Sequence, residues 1–458
     1  MDGFAAKATA KTIPVDVVDE RNARRFVRGL SAGARALLAA TGFEPKAGRA
    51  AVVPASGGKV RVLLVRKGPG DGWSAGALAD LGPGRYAVRT KLDPEDATAF
   101  ALGFALGRYR FDRYRTNGKP RRPVLVWPEG ADRRRVEAEA AAIAFGRDLV
   151  NTPAADLGPA ALADEVAGLA EAFGGRCTVT RGDDLLDAGF PAVFAVGRGS
   201  DRPPCLADLV WGDEDAPKVT LVGKGVVFDS GGLDLKGAAG MKLMKKDMGG
   251  AATVLAVARI VMALDLPVRL RVLVPAVENA ISGRAYRPLD VLETRAGITV
   301  EVGNTDAEGR LILSDALAAA AEERPEVLVD VATLTGAARV ALGTELPALF
   351  ASDDAWAEAV LAAGRERGDP LWRMPLWDDY DDLLSSDVAD VSNIARGSYG
   401  GAITAALFLR RFVPRGQAWL HVDTMAWNTR VRPGRPKGGE ILGARALADA
   451  IAGRLAGV

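Results

Sequence analysis

Histidine is almost missing: His421 is the only one in 458 residues. A Ser-His-Asp triad would need it as the base, and no Gly-x-Ser-x-Gly elbow accompanies it. A zinc site built on several histidines is excluded, and with only Cys177 and Cys205 so is a four-cysteine site. Two cysteines in so long a chain fit free thiols in a reducing compartment rather than a disulfide framework. Neither a Walker A loop nor a Gly-x-Gly-x-x-Gly run after a strand is present. A charge imbalance is lacking too. With 59 basic against 58 acidic residues the formal net charge is +1, which gives no general attraction to nucleic acid or to an anionic membrane. Neither is expected as a partner. Residues Met1 to Val17 mix Lys, Asp and Ala without an apolar secretory core. The most apolar helix-like run, Ala251 to Leu264, is too short for a bilayer and carries Arg259. A soluble, cytoplasmic protein is expected.

What is present is ordinary in bulk and uneven in detail. A chain of 458 residues, 48% hydrophobic and 26% charged, has the length and composition for two domains with separate cores. Ala51 to Pro54, Val60 to Val65 and Tyr86 to Thr90 read as short strands, and Glu95 to Arg108 as an apolar-faced helix. Arg121 to Pro128 reads as a further strand with a basic, proline-bounded entry. The fold class expected is α/β: a small N-terminal α/β domain over 1–132, a linker helix over 133–153 ending before Pro153, and a larger α/β domain over 154–458. In the larger domain a mixed central sheet flanked by helices is expected. Its strands are Val219 to Gly223, Val268 to Pro275, Ile298 to Val302, Val327 to Val331 and Trp419 to Asp423, with helices over Ala251 to Leu264 and Leu311 to Glu323.

The unevenness lies between Val222 and Arg310. Lys224 follows one predicted strand, and Asp229-Ser-Gly-Gly reads as a turn with Lys236 beyond it. Asp247 stands at a helix start, and Asn304-Thr-Asp-Ala-Glu-Gly-Arg310 follows another strand. In open α/β sheets ligands gather outside the carboxyl ends of strands, so two strand ends and one helix start can converge there. Carboxylates that close repel, and some would retain protons at neutral pH. Two divalent cations remove that penalty. Oxygen-rich donors suit manganese or magnesium and also accept zinc or cobalt. A lysine within such a cluster either stays charged as a clamp or loses its proton and donates nitrogen to metal.

Each residue alone has an ordinary explanation. Asp-Gly and Lys-Gly at strand ends are turn chemistry, Asp247 can cap its helix, and Met244 can be core packing. So many charged groups on otherwise apolar elements outweigh that explanation when taken together. His421 is expected to be a satisfied structural histidine.

These runs closely resemble the leucyl (cytosol) aminopeptidase family, whose signature Asn-Thr-Asp-Ala-Glu-Gly-Arg stands unchanged at Asn304 to Arg310. The resemblance extends through Tyr109 to Tyr114, Asn151-Thr-Pro153, Asp330 to Gly336, Ala389-Asp390 and Gly400 to Ala406. The stretch before Ala51 carries no such motif. The resemblance implies a metalloaminopeptidase acting on peptide substrates. Lys224, Asp229, Asp247 and Glu308 would form one metal site, with Lys224 neutral; Asp229, Asp306 and Glu308 would form the other. Lys236 and Arg310 would be catalytic without binding metal, and Arg310 would hold a bicarbonate ion as general base. Met244, Thr333 and Gly336 would line the first pocket, an apolar slot for leucine or methionine. A homohexamer is implied as well. After Asp423 members usually continue with an Ala-Gly loop, whereas Thr424-Met-Ala-Trp427 is shorter here. That departure bears on substrate preference and not on the metal site.

Two other readings stay open on sequence. A two-metal phosphoesterase uses similar carboxylates but commonly adds histidine ligands. Some relatives also bind DNA, which calls for a basic stripe and steep salt dependence.

Overall fold

The structure is a computed structural model and describes residues 1–116 and 122–456. The chain folds into two compact units. The first comprises Met1–Ala144, Glu366–Gly368 and Thr429–Lys437; the second comprises Phe145–Arg365, Asp369–Asn428 and Gly438–Val458. The chain therefore does not divide at a single point. The helix Arg133–Asn151 carries it from one unit into the other.

In the first unit a six-stranded sheet runs, in pairing order, Phe4–Ala5, Val124–Val126, Arg85–Val88, Ile13–Asp19, Val60–Arg66, Arg49–Pro54. Its middle strand, Ile13–Asp19, was not anticipated. Pro14 and two aspartates disguise it, and Asp16 lies buried because Arg61 and Arg89 pair with it at 3.0 and 2.6 Å. A charge on a strand reads as polar in sequence until its cross-strand partner is known. Of the strand expected at Arg121 to Pro128, Val124–Val126 forms; Arg121 lies outside the described residues. Phe100 and Phe104 of the helix Pro94–Gly107 pack on one face of this sheet with Val15, Val62 and Leu64.

The second unit is built on a nine-stranded mixed sheet. Across it run Trp372–Arg373, Ala348–Ala351, Trp419–Asp423, Val327–Ala332, Lys218–Gly223, Arg269–Asn279, Cys205–Trp211 and Arg176–Arg181, and Gly225–Asp229 pairs with Arg269–Asn279. Four strands at the centre, those ending at Asp423, Ala332, Gly223 and Asn279, are mutually parallel. Their carboxyl ends consequently share one edge. Those ending at Asp423, Ala332 and Gly223 are buried on both faces almost throughout, which accounts for their Val- and Leu-rich sequences. The helices Gly249–Ala263 and Glu308–Ala321 both contact the central strands.

One expected strand sits elsewhere. Ile298 to Val302 yields only Val300–Glu301, in a separate three-stranded sheet with Val291–Leu292 and Val391–Ser392. An apolar run of that length records burial but not which sheet provides it. Among the described residues no helix is long and apolar enough to cross a membrane, and both cysteines are free.

Candidate active site

Lys224 is the single residue between the strands Lys218–Gly223 and Gly225–Asp229. Its N–H donates to the Val331 carbonyl at 3.0 Å, and its carbonyl accepts from Ala251 at 2.9 Å. The chain shifts here from lying between two strands to pairing with one, and the side chain is left at the shared carboxyl edge. Asp229 closes the following strand rather than opening a turn. The turn proper is Ser230 to Gly232, where Gly231 and Gly232 have φ +92° and +65°. A Cβ at Gly231 would stand 3.0 Å from Asp306 Oδ1, so bare backbone is what lets the two loops close on each other.

The acids and lysines meet at this edge. Oxygens of Asp229, Asp306 and Glu308 all lie within 4.8 Å of one another. Lys224 Nζ joins Asp247 Oδ2 at 2.7 Å and Glu308 Oε1 at 2.9 Å. Lys236 Nζ joins Asp229 Oδ2 at 2.7 Å and also pairs with Asp306. Asp229, Asp247 and Glu308 are buried, and Asp306 is partly exposed. Thr333 donates its hydroxyl to Asp247 Oδ1 at 2.7 Å, and its carbonyl accepts from Lys224 Nζ at 3.1 Å. Met244 lies one 3-10 turn before Asp247, and Gly336 opens the helix Gly336–Leu342 just past Thr333. Arg310 follows Glu308 on the same helix, and its guanidinium donates to the Asn393 carbonyl.

The electrostatics of this cluster are unbalanced. Burial, reinforced by Asp229, pushes the Glu308 carboxyl up to about 8. Burial and Asp247 raise Asp229 as well. Burial alone would strip the proton from Lys224, but Asp247, Glu308 and Asp229 overrule it and drive its pKa above the ordinary lysine value. Lys236 is likewise pulled down by burial and raised further by Asp229 and Asp306, to about 12. Burial holds Arg310 down to about 10. With protein groups alone, then, the carboxylates keep the Lys224 proton; added divalent charge would reverse that balance. Glu308 Oε2 is buried without a hydrogen-bond partner among the described residues. An orphaned carboxylate oxygen in an over-acidic, oxygen-lined cluster fits divalent cations.

Several supporting residues escaped the sequence reading. Asn279 donates from Nδ2 to Asp229 Oδ1 at 2.9 Å and to the Thr305 carbonyl at 3.0 Å. Tyr286 donates its hydroxyl to the same carbonyl at 2.6 Å. Asn393 accepts from the N–H groups of Gly303 and Asn304 at 2.8 and 3.2 Å and donates to the Asn304 carbonyl at 2.8 Å. Asp423 accepts from Leu334 and Thr335 N–H, each at 3.0 Å, and from the Thr335 hydroxyl at 2.6 Å. The one available signal was a polar residue closing an apolar strand, as Asn279 and Asp423 do. His421 is only half satisfied: Nδ1 stands 2.6 Å from Asp330 Oδ1, and Nε2 is buried without a partner among the described residues.

Comparison with known proteins decides the family. Residues 144–448 match the model of the cytosol aminopeptidase family catalytic domain, and 13–128 that of the M17 aminopeptidase N-terminal domain. The chain belongs to the cytosol aminopeptidase (M17) family. The N-terminal match takes in most of the stretch before Ala51, which carries no family motif of its own. The chain is 41% identical over 375 residues to a probable cytosol aminopeptidase of Geotalea uraniireducens, covering 78% of this chain and 75% of that one. It is 42% identical over 418 residues to one of Nocardia farcinica, covering 86% and 82%. The crystal structure of cytosol aminopeptidase from Coxiella burnetii is similar at TM-score 0.93 and 45% identity, covering 99% of this chain and all 100% of that one. The bottromycin maturation enzyme BotP in complex with Mn is similar at TM-score 0.86 and 36% identity, covering 97% and 99%. Membership of the M17 family carries the class of reaction: metal-dependent removal of residues from peptide N-termini, by hydrolysis.

Proposed function

We propose that this M17 aminopeptidase works through a pair of divalent ions, with Lys224, Asp229, Asp247 and Glu308 holding one and Asp229, Asp306 and Glu308 the other. The observation that carries this reading is the approach of Asp229, Asp306 and Glu308 to within 4.8 Å, with Lys224 placed between Asp247 and Glu308. Manganese or zinc suits the donor set, and magnesium or cobalt is compatible. When bound, such ions supply Lewis-acid activation of water and of the scissile carbonyl.

The remaining work falls to the chain's own residues. Lys236, next to Asp229 and Asp306, is the ammonium placed to stabilise negative charge developing on the carbonyl oxygen. Arg310 keeps a buried Nε without a partner among the described residues, a donor suited to a small planar anion such as bicarbonate, the general base in this reading. The carboxylates orient the substrate's free α-amine, so cleavage is confined to the N-terminus. Met244, Thr333 and Gly336 receive the first side chain, with leucine and methionine as reference substrates.

A homohexamer in the cytoplasm is the setting proposed, by likeness to the family. The test is release of Leu and Met from aminoacyl anilides by metal-stripped protein reloaded separately with manganese, zinc, cobalt and magnesium. Absence of turnover with every metal overturns the reading.

A further inference from the structure

Beside the first pocket stands a cation whose side chain has no hydrogen-bond or ion-pair partner among the described residues. Arg339 lies one turn into the helix Gly336–Leu342, whose first turn is capped by the Thr335 hydroxyl accepting from Ala338 N–H at 3.0 Å. Its side chain runs back toward the helix start, as helical side chains do. A Cβ added at Gly336 would meet Arg339 Nη2 at 3.5 Å. Gly336 is exposed and Arg339 half-buried, so this guanidinium borders open space at the position assigned to the pocket. Among the described residues Arg339 has no hydrogen-bond or ion-pair partner for its side chain.

The neighbouring acids do not supply one. Asp423 feels the charge of Arg339, but its two oxygens are already taken by Leu334 and Thr335. Asp247 is engaged by Lys224 and Thr333. A second cation adds to the first. Lys246 is buried with no hydrogen-bond partner for its amine among the described residues, and pairs at 3.6 Å with the Asp247 oxygen that Thr333 also binds. Arg339 feels that charge as well. A pocket meant only for leucine or methionine has no use for a guanidinium at its edge, because a charge beside an apolar ligand costs desolvation.

We propose that Arg339 reads the side chain of the substrate's N-terminal residue, so that this enzyme removes N-terminal glutamate and aspartate besides leucine and methionine. The inference deepens the aminopeptidase reading and rests on it. A guanidinium offers a forked pair of donors that a carboxylate matches and an amide does not. Glutamate and glutamine differ in little else, so their ratio isolates the charge.

The experiment compares kcat/KM of the manganese-loaded full-length protein on glutamyl, glutaminyl and leucyl p-nitroanilides. These substrates have no peptide C-terminal carboxylate, so any preference arises from the side chain. Wild type is expected to favour glutamyl over glutaminyl by about fivefold or more. In Arg339→Met the ratio should fall to about one, and in Arg339→Lys most of it should return. A wild-type ratio at or below one, or a ratio that Arg339→Met leaves in place, overturns the proposal. Leucyl turnover accompanying such a result confines the failure to the pocket. Loss of turnover on all three anilides would take the aminopeptidase reading down with it.

Discussion

Lys224 Nζ stands 2.9 Å from Glu308 Oε1, the two arriving from a strand end and a helix start. Both are buried, and neither would be retained there as a simple ion pair. Desolvating two charges costs more than their attraction returns unless further groups complete the site. Those groups are present: Asp247 on the far side of the amine, and Asp229 and Asp306 beside the carboxylate. The excess of acid over base at this spot is what asks for divalent charge.

Removing metal should abolish hydrolysis and lower the melting temperature, because ions bound only by the folded state stabilise it by mass action. Asp229→Asn and Glu308→Gln should each lose bound metal by elemental analysis. Full metal content in both variants would show that the carboxylate cluster is not the site.

Lys236→Ala and Arg310→Ala should reduce turnover of leucyl anilide by about 10²–10³-fold, the usual effect of deleting a group that stabilises developing charge. Metal content should stay normal. Full turnover in either variant would remove that residue from the chemistry.

Gly309→Ala should weaken metal binding without unfolding the protein. Gly309 lies in a helix, where alanine is intrinsically preferred. The added Cβ would, however, stand 2.5 Å from Lys224 Cε and push the amine aside. Equilibrium dialysis at graded metal concentrations checks it, and unchanged affinity would contradict the close approach.

Asn393→Ala should destabilise the fold by about 2 kcal/mol or more, since buried N–H and carbonyl groups of the Gly303 to Ala307 loop would lose their partner. Urea unfolding measures it. A change below about 0.5 kcal/mol, the ordinary range for surface substitutions, would mean that the loop holds its shape unaided.

Asp315 provides a pH signature outside the carboxylate cluster. Burial pushes its carboxyl up to about 7, although it accepts from the N–H groups of Arg295, Val193 and Ala192. The unfolded chain releases that proton near pH 4, so between about pH 4 and 7 the folded state binds more protons and stability falls as pH rises. Wild type should therefore lose stability relative to Asp315→Asn across this window and not below it. A pH-independent difference in melting temperature would show that the carboxyl ionises normally when folded.

Much of the frame was legible in sequence because burial on both faces leaves predominantly apolar runs. The central strands Lys218–Gly223, Val327–Ala332 and Trp419–Asp423 and the helices Gly249–Ala263 and Glu308–Ala321 are of that kind. Ile13–Asp19 was hidden because its buried aspartate is explained only by Arg61 on a neighbouring strand and Arg89 just past another. Val300–Glu301 was assigned to the wrong sheet because periodicity reports that a segment is buried and not what covers it.

By itself the sequence determined the chemistry on offer: a single histidine, an even charge, and a family signature carrying acids, lysines and an arginine at strand and helix ends. Only the tertiary structure decided which of them touch. It joined Lys224 to Asp247 and Glu308, and Lys236 to Asp229 and Asp306. It brought Asn279, Tyr286 and Asn393 beneath the loops that carry the acids, and set the Arg339 guanidinium beside Gly336. The physical reason is distance. Local pattern reports which face a residue presents, whereas a hydrogen bond or ion pair between remote residues depends on where parallel strands bring their carboxyl ends together.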